Sequence, residues 1–264
     1  AKASGKDLSQ WQQQWLYQAG VNTIEASYQC EQGKISSFAL LQSADKSQPT
    51  LREQKVQLAL FKATKPGFSL SKKVSVIYQG EVSQVSELIG ESCPDLVYPN
   101  YDDWAFVKVN LDERSFHTTK DYLAQIQDPL LRSMLWQSLW DSVRDGKLAL
   151  NEYLTVALAN APLEQDYTTL GQVLRQISSA KAYLNKGLTS QNDYVKNTAL
   201  KLEEIAWQST LAHSDNKNMQ RRWFESYLNF AHSKTALNNL YKLLTGQHSL
   251  ENLTISQDIR WNII

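Results

Sequence analysis

Apolar and polar residues alternate with a period of two from Val21 to Asn110, and from Leu111 the period becomes helical. In the first region Ile24, Ala26 and Tyr28 fall on one side, and Glu31-Gln32-Gly33-Lys34 supplies a turn. Ile35, Phe38, Leu40 and Leu41 continue the return strand with imperfect alternation. Val56, Leu58 and Leu60 alternate, as do Val74, Val76 and Tyr78; Gln79-Gly80 then turns into Val82 and Val85. Trp104, Phe106, Val107 and Val109 predict a last strand. Six or seven short strands punctuated by Gly and Pro in about 90 residues predict a small antiparallel β-sandwich over 21–110. Ahead of it, residues 7–19 read as a helix that Asp7 or Ser9 can cap. Trp11, Trp15 and Leu16 share one face of it, and Gly20 is its stop.

In the second region Asp128-Pro129 is an N-cap followed by proline at the first helical position. Leu131, Leu135 and Leu139 form one row of that helix, Trp136, Trp140 and Val143 a second, and Gly146 ends it. Further helices are predicted at about 151–160, 164–184, 192–212, 216–232 and 234–244. Leu170, Val173, Leu174 and Ile177 mark one apolar face; Met219, Trp223, Tyr227 and Phe230 mark another. Short connections predict antiparallel helix pairs. Ser256-Gln257-Asp258 starts another helix, and Ile259, Trp261, Ile263 and Ile264 follow it to the chain end. Such an apolar end reads as a truncation. The expected architecture is therefore α+β with segregated domains: a helical tail at 1–20, the sandwich at 21–110, and an incomplete, superhelical all-α array at 111–264.

Composition narrows the function classes. The 264 residues are 42% hydrophobic and 20% charged, which suits a chain with a packed core. Basic and acidic residues balance at 27 each, so the basic excess of a nucleic-acid binder is missing. No run of about 18 apolar residues marks a membrane span. Cys30 and Cys93 are the only cysteines, with no C-x-x-C and no Cys/His cluster. They read as two free, reduced thiols, and the localisation as cytoplasmic.

The search for chemistry finds no reaction centre. The histidines are His117, His213, His232 and His248; none lies three or four residues from another, and none precedes a glutamate. H-E-x-x-H is therefore absent, as are G-x-S-x-G and phosphate-binding glycine loops. The carboxylate pairs Asp102-Asp103, Asp112-Glu113 and Glu203-Glu204 read as solvated or capping groups, the first closing the Pro99-Asn100 turn through Asx-type bonds. Arg144 and Arg221-Arg222 could grip a carboxylate, but ordinary pairing with neighbours such as Asp145 and Glu225 is the simpler reading. Trp136, Trp140, Trp207 and Trp223 sit on apolar helical stripes, which favours core packing over a carbohydrate platform. No catalytic, metal or substrate-binding residue is assigned.

One stretch carries more than its periodicity. Pro99-Asn100 followed by Asp102-Asp103-Trp104, then Asp128-Pro129-Leu130 with Arg132, Trp136 and Asp141, resembles the junction between sandwich and helical domain in the aminopeptidase N family of zinc exopeptidases. DLSQWQQQWLYQAG at 7–20 resembles that family's segment leaving the catalytic domain, Leu51-Arg52 stands where a Leu-Arg pair is expected, and Ile259-Arg260-Trp261 resembles a late helix start. The family's H-E-x-x-H, Gly-x-Met-x-Asn loop and catalytic tyrosine match nothing here. The resemblance implies a non-catalytic C-terminal portion with no peptidase activity or cofactor of its own, zinc being held by the parent's catalytic domain. It also implies that the segment shapes the chamber through which peptide substrates enter. That catalytic domain is the implied intramolecular partner, and self-association through exposed truncated interfaces is expected. The rival readings are a free-standing α-helical adaptor for a peptide or protein partner, and a carbohydrate-binding sandwich.

Overall fold

The computed structural model describes residues 5, 7–64, 67–189 and 192–264. Residues 1–4 and 6 of the expected tail lie outside that description. The chain divides into two compact units, 1–148 and 149–264.

Among the described residues, the first unit has α1 (Ser9–Leu16) and seven strands: β1 (Asn22–Glu31), β2 (Lys34–Ser43), β3 (Gln54–Thr64), β4 (Gly67–Tyr78), β5 (Val82–Gln84), β6 (Leu96–Tyr98) and β7 (Val107–Asn110). They form two sheets, ordered β5-β2-β1-β7 and β4-β3-β6. The β1–β2 hairpin turns at Gln32 and Gly33, both at positive φ, which is the mirror-image turn that matches strand twist. The first sheet is mixed, because β1 pairs in parallel with β7 from Asn22↔Val107 to Glu25↔Asn110. The alternation that predicted antiparallel strands is the same in either direction, so it did not reveal this pairing.

Ile24, Ala26, Phe38 and Leu40 of the first sheet are buried, as are Val56, Leu58 and Leu60 of the second. Strand β3 is buried on both faces from Val56 to Phe61. A strand in that position needs cover on the side away from the sandwich core. The segment after the strands supplies it: a 3₁₀ turn at Tyr101–Asp103, then α2 (Glu113–Tyr122) and α3 (Pro129–Arg144). The Phe61 and Tyr101 rings meet edge to face at 5.6 Å, and the Tyr98 hydroxyl donates to the Met134 carbonyl at 3.2 Å. Secondary structure therefore changes at 110/111, where the sequence placed the domain boundary, but the compact units part only after Leu148.

The second unit is helical: α4 (Leu150–Asn160), α5 (Tyr167–Gly187), α6 (Asp193–Ala212), α7 (Lys217–Phe230), α8 (Lys234–Leu244) and α9 (Gln257–Ile263). The predicted faces are the buried ones: Leu170, Val173, Leu174 and Ile177 on α5, and Met219, Trp223, Tyr227 and Phe230 on α7. A connection of only 213–216 returns α7 along α6, its packing partner. Side chains of Asp166, Asn192, Asn216, Ser233 and Ser256 cap five of these helices. Among the described residues, no helix is long and apolar enough to cross a membrane.

Two expectations about particular residues need correction. Cys30 and Cys93 are joined in a disulfide, with Cα atoms 5.8 Å apart. Trp104 and Phe106 lie outside any strand, 47% and 71% exposed. Helix α1 buries no residue: Trp11 and Leu16, on the face that the spacing predicted, are exposed.

Candidate functional site

Arg52 is a buried, many-bonded charged residue of the first unit. Its side chain is buried, and a guanidinium in that position needs an acceptor for each donor. Nε donates to the Gln14 carbonyl at 3.0 Å, and Nη2 to the carbonyls of Gln18 at 2.8 Å and Ala19 at 3.1 Å. Nη1 donates to Asn22 Oδ1 at 3.4 Å, and the guanidinium carbon lies 5.2 Å from the centre of the Trp15 ring. A cation against the last carbonyls of α1 is favoured by the helix dipole as well as by the hydrogen bonds. Gln42 holds the other side, its Oε1 accepting from the Arg52 amide and its Nε2 donating to the Gly80 carbonyl. Arg52 thus ties residues 14–22 to the sandwich, and the Gln14 and Asn22 side chains add bonds to the Leu51 and Thr50 carbonyls. The Leu-Arg pair marked this position in sequence; its partners, some thirty or more residues earlier, gave no local signal.

A second joint lies between strands and helices. Asn100 closes the turn with its own amide: Oδ1 accepts from the Ala105 N–H and Nδ2 donates to the Ala105 carbonyl, both at 3.0 Å. This corrects the roles given to the aspartates. Asp102 and Asp103 sit at positive φ, Asp102 pairs with Lys73 at 3.4 Å, and Asp103 accepts from Asn100. Asp112 and Asp128 cap α2 and α3, and the Tyr101 hydroxyl donates to Asp128 at 2.9 Å. Contact with Asp128 and partial burial push the Tyr101 phenol up to about 12, burial being the larger cause, so it remains a donor.

In the helical unit, Glu203 is buried and binds the first turn of α8. It accepts from the His232 and Ser233 amides at 2.9 and 3.0 Å and from the Ser233 hydroxyl. Burial pushes its carboxyl up, but these donors and the nearby His232 ring outweigh burial, so its pKa lies below the usual glutamate value. Glu204 is exposed, so the pair splits into one helix-binding and one solvated group. Arg221 pairs with Glu225 at 2.9 Å, whereas Arg222 lies 4.1 Å over the Tyr167 ring and against Gly171. Arg144 is exposed, and Asp145 pairs with Lys108 instead.

The histidines are dispersed. His213 and His232 each approach a carbonyl on their own or the preceding turn, His248 lies 6.5 Å from the Trp207 ring, and His117 is exposed on α2. Among the described residues, no group of three or more His, Cys, Asp or Glu could hold a metal ion. Trp136, Trp140 and Trp223 are buried and Trp207 packs on Tyr227 at 4.9 Å, which is the core role their spacing predicted. The exposed Trp104 has the Lys55 ammonium 5.4 Å from its ring centre. These arrangements hold elements in place.

The described residues form a sandwich followed by an array of capped helices. The sequence model of the ERAP1-like C-terminal domain matches residues 96–264, and the chain belongs to that family. Along its whole length it is 28% identical to aminopeptidase N of Streptomyces lividans, of which it spans 31%. The chain is the C-terminal, non-catalytic segment of an aminopeptidase N-like protein, in agreement with the resemblance at the 96–146 junction.

Proposed function

We propose that this chain is the scaffold and cover of a zinc-dependent aminopeptidase, shaping the chamber through which peptides reach a catalytic part that removes their N-terminal residues. The observation that carries this reading is the whole-length likeness to one third of an aminopeptidase N, within a C-terminal domain family. Zinc and the reacting groups belong to the catalytic part, and what the present residues contribute is rigidity and exclusion. Arg52 supports that role, since it fixes the segment after α1 at the edge of the sandwich. Trp11, Leu16 and Tyr17, all more than half exposed beside that segment, are the surface assigned to the catalytic part. The disulfide supports an oxidising compartment in place of the cytoplasm that two reduced thiols had suggested.

The test compares the full-length protein with the isolated chain on an aminoacyl p-nitroanilide and on peptides of increasing length. The full-length protein is expected to hydrolyse the anilide and the isolated chain to leave it intact; turnover by the chain alone would overturn the assignment. In the full-length protein, deletion of 149–264 is expected to relax discrimination against long polypeptides. An unchanged length preference would remove the chamber role.

A further inference from the structure

Strand β1 and helix α2 flank an open groove of about 710 Å³, and Cys30 lines it. The two sulfurs of the disulfide differ in surroundings. Cys30 lies at a bulge in β1 and is exposed. Cys93 is buried, and Arg114 Nη1 donates to its Sγ at 3.0 Å. The same guanidinium is held by Asp95 through Nη2 at 2.7 Å, so its position over the sulfur is fixed. A guanidinium beside a sulfur stabilises that sulfur as a thiolate, and thiol–disulfide exchange is faster when the departing thiolate is the more stable one.

We propose that Cys30–Cys93 is a directional exchange site: an external thiolate attacks Sγ of Cys30, and Cys93 departs as a thiolate held by Arg114. The new bond joins the incoming sulfur to Cys30, the Cys30–Cys93 bond breaks, and its electron pair stays on Cys93. A second thiolate of the same reagent then attacks the mixed disulfide, leaving Cys30 as a thiolate and releasing the oxidised reagent. The protein gains two electrons and two thiols become one disulfide. The groove also selects the thiol by charge. Glu25, Asp112, Glu113 and Asp121 line it against Arg114 and His117, so a cationic thiol is favoured over an anionic one. Exchange leaves the loop in place. The Val85 and Cys93 amides donate to the Phe38 and Gly33 carbonyls, Ile35 exchanges backbone bonds with Gly90 and Glu91, and Leu88 is fully buried.

The experiment treats the oxidised full-length protein with cysteamine or 3-mercaptopropionate, traps free thiols by alkylation, and maps the adducts by mass spectrometry. The mixed disulfide is expected on Cys30 with Cys93 alkylated. Per thiolate, cysteamine should react about threefold faster than 3-mercaptopropionate, the gap closing in high salt. Arg114→Gln should slow exchange about threefold and Arg114→Lys should restore it. An adduct on Cys93, or an even split, overturns the direction even if the Arg114 variants fail to fold. Equal rates in Arg114→Gln and the parent overturn the role of the guanidinium, and equal rates for the two thiols overturn the charge selection.

Discussion

The two units hold themselves together at different ranges along the chain. In the first unit the polar ties are long. Arg52 reaches back to Gln14, Val97 donates to Ser115, the Tyr98 hydroxyl contacts Met134 and Ser138, and the disulfide closes 63 residues. In the second unit most are local: Asp166, Asn192, Asn216, Ser233 and Ser256 each cap a helix two or three residues ahead. The cause is the backbone. A helix satisfies its own amides except at its ends, so caps and one apolar stripe suffice. A sandwich pairs segments that are distant in sequence, and each closure costs chain entropy that a fixed turn, a buried arginine or a covalent bond offsets.

The largest expected effect separates the units by their covalent tie. Replacing Cys30 and Cys93 by serine should destabilise the first unit by about 4 kcal/mol, the loop-entropy value for a closure of this length. The transition of the second unit should stay where it was. Differential scanning calorimetry checks this, and an equal fall in both transitions would break the contrast. Next comes Arg52→Met, which orphans the Gln14, Gln18 and Ala19 carbonyls and should cost about 3 kcal/mol. Amide exchange should accelerate most in residues 9–22; protection retained there would mean that other contacts fix the segment.

Glu203→Gln tests one of the long ties of the second unit, where a side chain reaches from α6 to the start of α8. A loss of about 2 kcal/mol is expected. Its folded pKa lies below the ordinary value of 4.5, so the contribution is full above that pH and is lost as pH falls through the folded pKa. Acid unfolding followed by circular dichroism should find the parent losing this advantage over Glu203→Gln below about pH 4.5; a constant difference down to pH 2 would contradict the linkage. The smallest effect is Asp128→Ala, which removes the α3 cap and should cost about 1 kcal/mol in urea unfolding.

Period and punctuation alone determined much of this protein. The β1–β2 hairpin, the Val56, Leu58 and Leu60 row of β3, the Asp128-Pro129 start of α3 and the buried faces of α5 and α7 all follow from rules that act over a few residues. The family was read from the resemblance of the motifs at the 96–146 junction. Tertiary structure decided the rest. Cys30 and Cys93 are solitary in sequence, and only the bulge in β1 and the packing of the loop against β2 bring them together. Helix α2 has a mostly polar sequence, with Ser115 and Thr119 as its buried residues, so no apolar stripe announced it. The face that Trp11, Trp15 and Leu16 share is real, but α1 has no buried residue, because amphipathic spacing gives direction and says nothing of what lies opposite. The roles of Arg52, Glu203 and Arg114 were illegible for one reason. A charged side chain reads as solvated until the fold sets carbonyls, amides or a sulfur against it, and those partners come from segments that the chain meets only on folding.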